Sequence, residues 1–255
     1  MSLIKSPGEI ELLREGGKRL AKVLRMTRDY IKPGMTTREV DAYAEKLIRD
    51  MGDTPPFKNY QPRGARRPFP AALCISVNDE IVHGIPGDYV IKDGDVVSID
   101  LGLTHKGLVT DHALSVIVGD APQRVKDLLR YTEEALWKGI DAAKIGGHIG
   151  DISAAIEEVQ IKHKYGNVRE LGGHGVGHGV HEDPYVPNYG RKGTGPRLQQ
   201  GMVLAIEPMF ILDGTEDIRQ MPDGWTIVSH SGATAAHFEH TIAFTDKGVE
   251  VLTME

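Results

Sequence analysis

A single cysteine, Cys74, in 255 residues leaves no internal disulfide to be made, so burial and hydrogen bonding must hold the fold. That scarcity points to a reducing compartment, and a cytoplasmic location is expected. No apolar run approaches the roughly 20 residues of a membrane span, and the opening MSLIKSPGEIELLREGG has no apolar signal core. Excess positive charge is missing too. With 36 acidic residues against 30 Lys and Arg, the net charge of -6 argues against a dedicated nucleic-acid or anionic-membrane binder.

What is present is enough for one sizeable core, since 40% of the residues are hydrophobic, and a single compact domain over 1–255 is expected. After Pro7, Ile10, Leu13, Leu20, Leu24 and Ile31 recur at helical spacing until Pro33-Gly34 breaks the pattern. A second helix starts at a Thr cap followed by Glu39 and ends at Gly52. Residues 53–73 form a Pro, Gly and Arg-rich loop, and strands in hairpins are predicted near 73–77, 95–102 and 112–118. The order then repeats: helices at 123–143 and 150–164, a glycine-histidine loop, and strands near 202–207 and 238–244.

Two pseudo-symmetric halves, about 1–120 and 121–255, follow from this repetition. DGDVVSID lies over QQGMVLAIE, which places Asp100 on Glu207; TDHALSVIV lies over FEHTIAFT, which places Asp111 on Glu239 and His112 on His240. Period-two alternation surrounds the four acids with small residues such as Ser98, Ala113, Ser115, Ala205, Thr241 and Ala243. The opposite faces carry Val97, Ile99, Leu114, Val116, Leu204, Ile206, Ile242 and Phe244, as a helix-covered sheet requires. His112 and His240 belong to that covered side and are predicted to bond to backbone or helix groups rather than to metal.

A lone acid at a strand end is usually a solvated turn residue, but four at duplicated positions reverse that reading. Brought together they would repel unless cations neutralise them, and two divalent metals would do so. Oxygen ligands with one imidazole suit Mn, Fe, Co or Zn, and the absence of thiol ligands speaks against a structural zinc site. GGHGVGHGVHEDP, residues 172–184, is too polar and flexible for an ordinary core strand. Its glycines let backbone pass close to metal or substrate, and its histidines His174, His178 and His181 are candidates for a ligand and a substrate contact. Spacing does not assign them.

Five blocks, LCISVNDEIVHGIPG, DGDVVSIDLG, GGHGVGHGVHEDP, GMVLAIEPM and FEHTIAFT, resemble those of type I methionine aminopeptidases in order and separation, and the likeness spans nearly the whole chain. It implies an α/β (α+β) pita-bread fold with a central antiparallel sheet covered by helices. It also implies two divalent ions held by Asp100, Asp111, His174, Glu207 and Glu239, with Asp111 and Glu239 bridging. By the same likeness His181 approaches the scissile carbonyl, His83 meets the amide nitrogen, and Glu207 carries the proton from water to the leaving amine. Cys74, Trp225, Phe69 and Tyr60 become candidate walls of a methionine pocket. The implied partners are nascent polypeptides with an N-terminal Met, and the implied state is a monomer.

Three departures stand out. The segment YQPRGARRPFPAA is longer than the family loop, which puts the placement of Tyr60 in doubt. Its Arg63, Arg66 and Arg67 read as a solvated charged loop, with transient contact to ribosomal RNA as the alternative. His112 stands where relatives often have Thr, and His178, where they often have Arg or Lys, is given no catalytic role. X-Pro aminopeptidases and prolidases share a similar metal set and form the competing enzyme reading. A metal-free binding module of the same fold would be expected to have lost ligands, and all five are here.

Overall fold

The computed structural model describes residues 3–255. Helix α1 (Pro7–Tyr30) begins at Ser6, whose hydroxyl accepts from the Glu9 N–H while the Glu9 carboxylate accepts from the Ser6 backbone; α2 (Thr37–Asp50) begins with the same reciprocal pair, Thr36 and Glu39. Strands β1 (Leu73–Val77), β2 (Glu80–Val82), β3 (Val96–His105) and β4 (Leu108–Ile117) follow. Next come α3 (Gln123–Ala142) and α4 (Ile149–His163), then β5 (Gly166–Asn167), β6 (Gly172–Gly175) and β7 (Glu182–Pro187). The chain finishes with β8 (Val203–Ile206), β9 (Met209–Ile211), β10 (Ile218–Gln220), β11 (Ile227–Ser229), β12 (Ala235–His237), β13 (Glu239–Thr245) and β14 (Gly248–Val251).

The main sheet is antiparallel, in the order β1-β3-β4-β13-β8-β6-β7, with β14 added beside β13. The β3–β4 hairpin is longer than the sequence pattern suggests. Its strands meet at Lys106-Gly107, both at positive φ, the two-residue geometry whose twist matches that of the paired strands. One face of the sheet is covered by helices. Leu20, Leu24, Val40 and Ile48 of α1 and α2 pack with Val97, Ile99 and Leu101 of β3, while Leu136, Ile140 and Ile152 of α3 and α4 pack with Leu204, Ile206, Ile242 and Phe244. Burial of these side chains contributes roughly 1.5–3 kcal/mol each. No described helix is long and apolar enough to cross a membrane.

One expectation fails usefully. The start of the glycine-histidine stretch is not a loop: β6 runs within the main sheet, between β8 and β7. The glycines that seemed to forbid a strand are what admit this one, because a Cβ on Gly173 would lie 2.2 Å from the Ala205 carbonyl oxygen, and one on Gly175 would lie 2.1 Å from that of Asp183. The polarity of the segment is likewise absorbed, since His174 faces other polar groups.

Candidate metal centre

Neighbouring strands bring the four acids to one cavity: Asp100 on β3, Asp111 on β4, Glu239 at the start of β13 and Glu207 just beyond β8. The β3–β4 register sets Asp100 opposite Ala113 and Asp111 opposite Gly102, so small partners leave the acids room. Where β4 and β13 part, the Thr241 hydroxyl accepts from the Asp111 N–H at 2.9 Å and donates to the Asp111 carbonyl at 2.7 Å, fixing the backbone of that acid. His174 on β6 bonds through Nδ1 to the Gly175 carbonyl at 2.9 Å and aims Nε2 at Glu207 Oε1, 3.6 Å away. A ring held by one nitrogen presents the other as a ligand.

Burial pushes the pKa of Glu207 up to about 8, and burial followed by the Glu207 charge pushes Asp111 up to about 7. Asp100 and Glu239 also rise well above the usual carboxylate range, through burial first and then the other acids. Burial lowers His174 to about 3 and so keeps its imidazole neutral. Asp100 Oδ1, Glu239 Oε1 and the Nε2 of a further residue, His237, are buried without a hydrogen-bond partner. Ligand atoms of Asp111, His174 and Glu239 lie within 4.8 Å of one another, as do those of Glu207, His237 and Glu239. Crowded oxygens, neutral imidazoles and orphaned buried atoms together suit divalent cations.

His237 is the residue sequence reasoning missed. Its Nε2 lies 3.4 Å from Glu207 Oε2 and 3.9 Å from Glu239 Oε2. The alternation that placed Thr241 on the Glu239 side, extended two residues upstream instead of down, would have found it. Asp100 lines the same cavity but belongs to neither triplet.

The cavity, about 200 Å³, is small beside the roughly 300–1,000 Å³ of ordinary ligand pockets, and apolar and aromatic residues share its lining with the acids. All four candidate wall residues line it. Phe69 meets Trp225 edge-on with ring centroids 5.3 Å apart, Cys74 is buried opposite Asp100 on the neighbouring strand, and Tyr60 packs beside them. His83 is also a lining residue and stands perpendicular to Trp225 at 6.2 Å. Its backbone has φ 59, a left-handed conformation that a non-glycine residue adopts at a cost, as chains do where a side chain must be aimed. His181 stands at the mouth, its ring edge-on to that of His174 with centroids 4.4 Å apart.

His178 does not enter the cavity. It bonds to Glu9 of α1 at 2.6 Å, and the nearby Glu182, buried with Lys5 at 2.5 Å, accepts from the Gly179 N–H. These contacts tie the loop bearing His181 to the first helix. Arg63, Arg66 and Arg67 are exposed.

Residues 11–246 match metallopeptidase family M24. The methionine aminopeptidase of Clostridium perfringens is 43% identical over 254 residues, covering 100% of this chain and 99% of that one. The crystal structure of methionine aminopeptidase from Thermotoga maritima superposes with a TM-score of 0.93 at 43% identity, covering 99% of both chains. Prolidase from Pyrococcus furiosus is more distant, at a TM-score of 0.76 and 25% identity, with 99% of this chain and 66% of that one covered. The chain therefore belongs to metallopeptidase family M24 and has the pita-bread fold of the methionine aminopeptidases it matches.

Proposed function

We infer that this chain is a methionine aminopeptidase, which hydrolyses the bond after the N-terminal methionine of peptides and nascent polypeptides whose second residue is small. The observation that carries the reading is that one small cavity joins the clustered acids to an apolar, aromatic wall suited to a thioether. Asp100, Asp111, His174, Glu207 and Glu239 would hold two divalent ions there. Such ions, when bound, supply Lewis acidity that lowers the pKa of water and polarises a carbonyl.

The protein's own groups then divide the work. Tyr60, Phe69, Cys74 and Trp225 hold the thioether side chain. Glu207, whose environment before any cation binds raises its proton affinity to about pH 8, takes a proton from the attacking water and passes it to the leaving amine. His181 meets the charge that develops on the carbonyl oxygen, and His83, kept neutral by burial with a pKa near 4, meets the scissile amide nitrogen. The chain acts on this reading as one catalytic domain built of the halves 1–120 and 121–255, working as a monomer in the cytoplasm.

A peptide panel tests the assignment. Met-Ala starts should be cleaved, Met-Leu and Met-Lys starts refused, and cleavage should stop with a chelator and return with Mn, Fe or Co. Preferential cleavage of Ala-Pro starts would move the chain to the X-Pro enzymes, and full activity after exhaustive demetallation would sink the metal chemistry.

A further inference from the structure

Tyr60 does more than wall a pocket. Its phenol oxygen lies 2.8 Å from Nδ1 of His181, and no other hydrogen bond is made by either group among the described residues. Burial raises the Tyr60 pKa, so the phenol keeps its proton at neutral pH. His181 opens to solvent at the mouth, and an imidazole at or above neutral pH is mostly uncharged. A neutral imidazole has one N–H and one bare nitrogen, and the partner of one decides the other.

Two arrangements fit the distance: O–H to bare Nδ1, or Nδ1–H to phenol oxygen. The first is favoured strongly, because a phenol is a far better proton donor than a neutral imidazole N–H, and imidazole nitrogen a far better acceptor than phenol oxygen. We propose that Tyr60 is a positioning residue that fixes the tautomer of His181: by donating to Nδ1 it places the ring proton on Nε2, making Nε2–H the donor offered to the substrate's carbonyl oxygen. Without the phenol, the neutral ring is free to take the Nδ1–H form, in which Nε2 turns a lone pair toward the oxygen it has to stabilise. The loop that was hardest to place from sequence thereby holds the group that prepares His181 for its task.

This rests on the methionine aminopeptidase reading, and the test keeps the two apart. Tyr60→Phe retains the ring that packs on the thioether and removes only the hydroxyl. With a Met-Ala peptide, kcat should fall about tenfold while KM stays within about twofold, and the same change in a His181→Ala background should have no further effect. A residue that merely walls the pocket would leave kcat unmoved or shift KM instead. Nitrogen NMR of ring-labelled histidine in the zinc-loaded full-length chain gives a readout independent of turnover. The wild type should show a bare Nδ1 and a protonated Nε2 on His181, and Tyr60→Phe a mixture. A protonated Nδ1 in the wild type, an unchanged kcat in Tyr60→Phe, or an equal loss in the His181→Ala background overturns the proposal. Failure to cleave any Met peptide would instead remove the functional reading, while the tautomer measurement would still stand or fall by itself.

Discussion

Asp111 and His112 are adjacent in sequence, as are Glu239 and His240, but the two acids and the two histidines live on opposite sides of one sheet. The acids face the cavity. The histidines face the helices, where they sit directly opposite each other in the β4–β13 register and stack with ring centroids 4.4 Å apart. His112 Nδ1 bonds to the Glu239 carbonyl at 2.5 Å, and His240 Nδ1 to the Thr253 hydroxyl at 2.8 Å. Both rings are kept neutral by burial, which lowers their pKa values to about 4 and about 2. The pleat alone separates metal chemistry from support: one step along the strand turns a candidate ligand into a brace.

The sharpest way to break this comparison is to mutate the two faces separately. Glu207→Ala on the cavity side should abolish turnover, since a candidate ligand and the proton carrier go together. Peptide cleavage measured beside bound metal checks it, and appreciable residual activity would refute the dual role. Within the cavity, the two neighbouring histidines should part company. His181→Ala should lower kcat by about 10²–10³ with metal content retained, as expected for a lost oxyanion donor. His174→Ala should lower metal affinity first. Loss of an ion from His181→Ala would make that residue a ligand.

Removing the metal sharpens the comparison through pH. In the metal-free protein Asp111 and Glu207 have folded pKa values of about 7 and about 8, raised from ordinary values of 3.8 and 4.5, so the native state binds more protons than the unfolded state in that interval. Raised carboxyl pKa values mean stability lost as pH rises. The buried histidines, lowered from 6.5, act the other way, but only below about pH 7.5, where the unfolded chain takes up protons that they refuse. Above about pH 7.5 the carboxyls, Asp100 and Glu239 among them, therefore act alone, and the metal-free chain should lose stability as pH rises from there through the Glu207 pKa of about 8. Saturating metal should reverse the trend, because the ions bind the deprotonated acids. Calorimetry across this range, with and without chelator, measures both slopes; a flat or rising metal-free profile would count against the crowded-acid account.

Much of this was legible in the sequence because it rests on short-range rules. Pro7 and a Thr cap followed by Glu39 marked the first two helix starts, and alternation around Asp111 and Glu239 sorted acids from core. What was not legible depends on contacts between distant segments. The place of β6 in the sheet requires the Ala205 and Asp183 backbones to approach Gly173 and Gly175, and glycine spacing by itself does not distinguish that from a loop. The Tyr60–His181 bond joins residues 121 positions apart. The left-handed backbone at His83 leaves no pattern at all, since residues other than glycine, Asn and Asp give no sign of that conformation.

The smallest expected effect belongs to the brace. His112→Ala removes a buried hydrogen bond to the Glu239 carbonyl and one half of a stacked ring pair, but no group that faces the cavity. The lost bond and packing together should cost about 2 kcal/mol, which for a chain of this length lowers Tm by roughly 4–8 °C. Metal stoichiometry should be unchanged, because the Asp111 backbone is still held by Thr241 and that of Glu239 by the start of β13. Turnover should fall little, since Glu239 loses a bond to its carbonyl and not to its carboxylate. Calorimetry and metal analysis on the same sample decide the matter. A stable variant that has lost an ion would place His112 in the centre after all, and would show that the pleat does not separate the two faces as the register indicates.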